Sequence, residues 1–87
     1  MLSIKFTETG KESLHELHIS IQKEIKTELK KLATGKIKGK ELTAQLSGFF
    51  TLHVSNHRVI YSQNTHQIIV HYAGHRSNVY SKIKITE

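Results

Sequence analysis

Four side chains in the C-terminal half carry groups that act on phosphodiesters: His53, Arg58, Arg76 and Tyr80. Cutting RNA without a metal needs three operations. The 2′-hydroxyl must lose its proton as it attacks phosphorus, the non-bridging oxygens must have their charge neutralised, and the leaving 5′ oxygen must receive a proton. Arginine suits the second, because its guanidinium stays protonated and grips phosphate oxygens through two parallel N–H donors. Arg58 and Arg76 are the only arginines among the 13 basic Lys and Arg residues. Histidine moves a proton near neutral pH, and a well-placed acid or base contributes roughly 10² to 10⁴-fold. His53 is the candidate general base, and Tyr80 either delivers a proton or stacks on a base. Each has a plainer reading: His53 as a half-exposed strand residue, the arginines as surface charge or a pairing that pins the tail, and Tyr80 as a packed ring.

Residues 46–80 must position these groups, and they read as a three-stranded antiparallel meander. From Phe49 to Val54 the pattern alternates, with Phe50, Leu52 and Val54 on one face and Phe49, Thr51 and His53 on the other. If the first set faces the core, His53 faces away from it. A turn at Ser55-Asn56 leads to a strand from His57 to Tyr61. A second turn, Ser62 to Thr65, leads to a strand from Gln67 to Tyr72, with Gly74 marking a bend before the closing Gly74-His75-Arg76-Ser77-Asn78-Val79-Tyr80.

Upstream, Leu2, Ile4 and Phe6 alternate and predict a short first strand. Thr7 can cap the helix that follows, with Glu8 near its positive end. Leu14 and Leu17, then Ile21, Ile25, Leu29 and Leu32, form apolar stripes at helical spacing. Ile19 falls off that stripe, and His18 or Ser20 can cap a new helix, so the spacing predicts two helices with a break at 18–20. Gly35 ends the second. The Gly- and Lys-rich stretch from Gly35 to Leu42 reads as a solvated, mobile loop whose Lys36, Lys38 and Lys40 could steer phosphate. Ser81 to Glu87 alternates weakly and fits an edge strand, a helical turn or a frayed end. The expected fold is a single α+β domain over 1–87, with two N-terminal helices packed on a small antiparallel sheet in the order β-α-α-β-β-β.

At 87 residues the chain supports one core. Its +6 charge, 13 basic against 7 acidic residues and every acid a Glu, favours polyanions or acidic protein partners. With no Cys, a disulfide scaffold and a thiolate metal site are excluded, and a reducing cytoplasm fits. No apolar run resembles a signal peptide or reaches the ~20 residues of a membrane span. His57, His66, His71 and His75 match no metal-binding spacing and have neither Cys nor carboxylate beside them, so no metal and no cofactor is expected.

Three segments together resemble the RelE/ParE superfamily of bacterial toxins over nearly the whole chain. They are Ser20-Ile21-Gln22-Lys23 with Lys30-Lys31-Leu32, Leu46-Ser47-Gly48 running through His57-Arg58-Val59-Ile60-Tyr61, and Gly74 to Tyr80. The resemblance implies a microbial RNase-like fold and a cognate antitoxin that wraps the toxin. For the RelE-like branch it implies an endoribonuclease that cuts mRNA on the 70S ribosome and so inhibits translation. For the ParE-like branch it implies a toxin that poisons DNA gyrase without cutting RNA, and an inactive antitoxin-binding subunit is a third alternative. Carried over by motif, Arg58, Arg76 and Tyr80 are the family's strand Arg, closing Arg and terminal Tyr. Where one branch has two strand lysines, this chain has Thr51 and His53. Thr51 and His75, with Lys36, Lys38 and Lys40, are the remaining candidates for RNA contact.

Overall fold

The computed structural model describes residues 1–78. Tyr80 and the tail from Ser81 to Glu87 lie outside the described residues. In chain order the elements are β1 (Ser3–Phe6), α1 (Glu8–His15), α2 (Ile19–Ala33), β2 (Lys40–Glu41), a 3-10 turn (Ala44–Leu46), β3 (Phe50–Val54), β4 (His57–Gln63) and β5 (Gln67–His75).

Local signals set the helices. Thr7 caps α1, its hydroxyl accepting the Gly10 N–H at 3.0 Å. His18 caps α2, with Nδ1 accepting the Ser20 N–H at 3.1 Å, so the expected break falls where Ile19 leaves the stripe and stays 57% exposed. Ile25, Leu29, Leu32 and Ala33 turn the buried face of α2 onto the sheet. Gly35, at φ +82°, follows the Thr34 cap and lets the chain reverse.

The five strands lie in the order β1-β5-β4-β3-β2. The meander β3-β4-β5 is antiparallel as expected, but β1 runs parallel to β5 through Ser3↔Gln67 to Phe6↔Val70, so the sheet is mixed. Parallel neighbours need a long crossover. Here the whole chain between β1 and β5 supplies it, with α1 and α2 on one face. The Lys36–Leu42 stretch is also more ordered than a mobile loop: Lys40 and Glu41 add an edge strand, pairing with Thr51 and Phe50.

Leu52, Val54, Val59, Tyr61, Ile68, Val70 and Ala73 point from the sheet toward Leu14, Ile25, Leu29 and Leu32 and form the core. Burying such side chains contributes about 1.5–3 kcal/mol each. The opposite, outer face carries Thr51 and His53 from β3 and Arg58, Ile60 and Ser62 from β4.

α1 packs against the part of β5 that β1 does not reach. The Ser13 hydroxyl accepts the Ala73 N–H at 3.0 Å and donates to the Gly10 carbonyl at 2.9 Å. At Gly10 a Cβ would collide with the Val70 carbonyl, so only glycine permits this approach.

Candidate functional site

The strand register assembles the site on the outer face. His53 stands directly opposite Arg58, and Arg58 stands opposite Gly74 on its other side. Directly opposed side chains lie about 4.5–5.5 Å apart at Cβ, so an imidazole and a guanidinium start from neighbouring positions on β3 and β4. Gly74 carries no side chain, and the ring of Tyr72 leans over it: a Cβ there would sit 2.7 Å from Cε2 and 3.0 Å from the phenolic oxygen. The row therefore reads His53, Arg58, Tyr72 phenol.

Tyr72 reaches this face through a β-bulge. Ile60 pairs with Tyr72 but Tyr61 pairs with Val70, leaving His71 as an extra residue. The consecutive His71 and Tyr72 then both emerge on the outer face, His71 toward Ser62 and Tyr72 toward the Arg58 row. The N-cap of α1 pins the bulge, with Thr7 N–H donating to the Val70 carbonyl at 3.0 Å and its hydroxyl 3.3 Å and 3.4 Å from the carbonyls of Val70 and His71. Burial, and then Glu16 at the C-cap of α1, push the Tyr72 phenol above its ordinary range, so it remains a hydrogen-bond donor at neutral pH.

Electrostatics favour an anion on the β3–β4 side of this face, away from Tyr72. Glu41 is the only carboxylate on any described strand, and its pairing with Phe50 turns it to the helix side; Glu8 lies on α1 and Glu24 and Glu28 on α2, while Glu12 of α1 and Glu16 at its C-cap line a pocket with Tyr72 and bring acidic charge to the β5 side of the face. Lys5, opposite Ile69, and Lys40, opposite Thr51, add positive charge to the outer face.

The other candidates scatter. Arg76 follows β5 at the Arg58 end of the sheet, and its N–H donates to the Asn56 carbonyl at 2.9 Å, fixing it beside the β3–β4 turn. Thr51 shares the outer face but is only 3% exposed, with its hydroxyl unpartnered. His75 faces the helix side, where its ring meets His57 edge-on at 5.5 Å. Its Nδ1 accepts the Ser77 N–H at 3.2 Å. Burial, then repulsion from His75, lower the His57 pKa against the opposing pull of Glu24. Lys38 lines a groove of about 610 Å³ between Leu32, Ile37, Phe50 and Tyr61, at the opposite end of the meander from Arg58. Lys36 belongs to the same segment. Register thus joins His53 to Arg58, adds Tyr72, and separates both from Lys36, Lys38 and His75.

Sequence reading missed Tyr72, whose one signal was the Tyr72-Ala73-Gly74 spacing, a ring two residues before a glycine on one strand.

Comparison with known proteins agrees with this architecture. Residues 4–80 match the sequence model of a family described as the ParE toxin of type II toxin-antitoxin system, parDE. YafQ from E. coli superposes with a TM-score of 0.76 at 12% identity, covering 92% of this chain and 99% of that one. A chain of the RelB–RelE antitoxin–toxin complex from Methanococcus jannaschii gives 0.72 at 20% identity, with coverage of 92% and 99%. A chain of the RelBE2 toxin–antitoxin complex from Mycobacterium tuberculosis gives 0.67 at 24% identity, covering 87% and 92%. No curated protein sequence matches. At these identities the structural likenesses establish the fold, and the match across 4–80 establishes the family: the chain belongs to the ParE toxin family of type II toxin–antitoxin systems, within the RelE/ParE superfamily.

Proposed function

We propose that this toxin is an endoribonuclease that cuts mRNA on the ribosome by metal-free transesterification. The observation that carries the reading is the His53–Arg58 cross-strand pair on a face whose described strands present no carboxylate, with the Tyr72 phenol leaning over Gly74, the other partner of Arg58. His53 takes the proton of the 2′-hydroxyl, whose oxygen attacks phosphorus. Arg58, with Arg76 at the same end of the sheet, balances charge on the non-bridging oxygens. The P–O5′ bond breaks and the 5′ oxygen takes a proton, leaving a 2′,3′-cyclic phosphate and a free 5′-hydroxyl. Tyr80 is the sequence-based donor for that proton, and Tyr72 presents the same group over Gly74, the cross-strand partner of Arg58. The ribosome holds the strand in the geometry for in-line attack.

The cognate antitoxin is an acidic or amphipathic chain laid over the sheet edge and helices, and toxin and antitoxin meet in the cytoplasm. Incubation with translating ribosomes tests the reading. Wild-type protein should cut mRNA and the Arg58→Ala, Arg76→Ala double variant should not; equal cutting by both would refute the assignment.

One observation favours a second reading: the matched family model is the one described for ParE. A ParE-like toxin would bind and poison DNA gyrase, and a supercoiling assay separates the two. Loss of supercoiling with intact mRNA would select the gyrase reading.

A further inference from the structure

Next to the bulge that brings Tyr72 to the outer face lies a second group of side chains. His71 Nε2 lies 2.8 Å from the Ser62 hydroxyl oxygen, across β4 and β5. Phe49 meets the same imidazole edge-on, with centroids 5.0 Å apart and planes at 83°. All three side chains are half-buried, so each is held in place yet keeps a surface open. Ser62 lies four residue steps along β4 from Arg58, about 13 Å on an extended strand. That is too far for both groups to act on one phosphate, and a suitable span for two sites on one strand of RNA.

We infer that Phe49, Ser62 and His71 form a nucleobase-binding subsite that holds a base flanking the bond to be cut. The inference rests on the nuclease reading for the identity of the strand. Aromatic rings, including histidine, offer stacking surface to unpaired bases, and hydroxyl and imidazole groups hydrogen-bond to base edges. The Ser62–His71 pair can donate or accept, depending on which of the two holds the shared proton. Burial lowers the His71 pKa and favours the neutral ring, which suits a base edge better than a phosphate. The phosphate-binding charge sits instead at Arg58, one end of the same face. A ring-lined subsite at one end of the face and a cationic one at the other give the RNA a direction across the sheet, passing over Ile60 and Thr51, which are 0% and 3% exposed.

The test uses full-length toxin, labelled at histidine and phenylalanine, titrated with 2′-O-methyl tetranucleotides of A, C, G or U, which cannot be cut by the 2′-hydroxyl route. Resonances of His71 and Phe49 should shift, and one homopolymer should bind more tightly than the others. Phe49→Leu, which keeps apolar bulk but removes the ring, and His71→Gln should each weaken that preferred binding about tenfold, as expected for loss of one stacked base. Both variants should also flatten the base preference at cut sites on the ribosome. Affinity and preference unchanged in folded variants would overturn the subsite, as would failure of the wild type to bind any tetranucleotide. Base-selective binding by a wild type that leaves mRNA uncut would instead refute the nuclease reading while supporting the subsite.

Discussion

Adding one methyl group at Gly74 tests whether the position of the Tyr72 ring matters to function. A Cβ there would stand 2.7 Å from Tyr72 Cε2, 3.0 Å from the phenolic oxygen and 3.2 Å from Cζ. Ordinary carbon contacts lie at about 3.5–4.0 Å, so the ring must retreat by about 1 Å. The ring is half-buried and can move, whereas the backbone of β5 is held by its ladder to β4. Overpacking costs about 1–3 kcal/mol, and Gly to Ala in a strand returns about 0.5–1 kcal/mol, so Gly74→Ala should lose about 1 kcal/mol net. For a domain of this size that lowers Tm by about 4–8 °C. The effect on cleavage should be larger, because a 1 Å misplacement at a reacting centre can cost about 10²-fold. Single-turnover mRNA cleavage on ribosomes, beside a urea unfolding curve, reads both quantities. Tyr72→Phe provides the control, keeping the ring and removing the phenolic hydroxyl. Wild-type cleavage by Gly74→Ala, with its small stability loss observed, would refute a role for the ring over Gly74.

Three further perturbations test the scaffold and the site. Ser13→Ala leaves the buried Ala73 N–H without its acceptor, so it should destabilise by about 1–3 kcal/mol in urea unfolding and expose Ala73 to rapid amide exchange. Thr51→Val replaces a buried, unpartnered hydroxyl with a methyl of similar size, and should raise stability by about 1 kcal/mol while leaving cleavage intact; a loss of cleavage would mean that RNA reaches Thr51. His57 and His71 both titrate below their ordinary value in the folded chain, chiefly through burial, so the unfolded chain binds more protons as pH falls. Stability from these two groups is complete above about pH 6.5 and is lost as pH drops toward their lowered folded values. The urea midpoint should therefore fall between about pH 7.5 and 5.5, and the drop should shrink in a His57→Gln, His71→Gln variant; an unchanged drop would assign it to other groups.

The features readable from sequence were those decided by neighbours along the chain. Thr7 and His18 cap because their side chains reach backbone groups two or three residues away, and the alternation from Phe50 to Val54 fixed which way His53 points. Pairing across the chain was harder. Leu2, Ile4 and Phe6 announce a strand without naming its neighbour, so the parallel pairing of β1 with β5 and the resulting mixed sheet went unseen. Likewise Lys40 and Glu41 look like loop until Thr51 and Phe50 pair with them. The bulge at His71 had the largest effect on the site. Strict alternation from Gln67 would put Tyr72 with Ile68 and Val70 on the core face, and the extra residue moves it to the outer face, where its ring covers Gly74. His75 shows the reverse: its position in the closing motif drew it toward Arg76, but register turns it to His57 on the helix side.

The most direct test is to sequence both ends of mRNA recovered from translating ribosomes after exposure to the toxin. The account predicts new cuts ending in a 2′,3′-cyclic phosphate and a 5′-hydroxyl, reduced by roughly 10²-fold or more in His53→Ala and in Arg58→Ala variants that remain folded. Intact mRNA in the presence of wild-type toxin, with DNA supercoiling by gyrase blocked in a parallel assay, would contradict it.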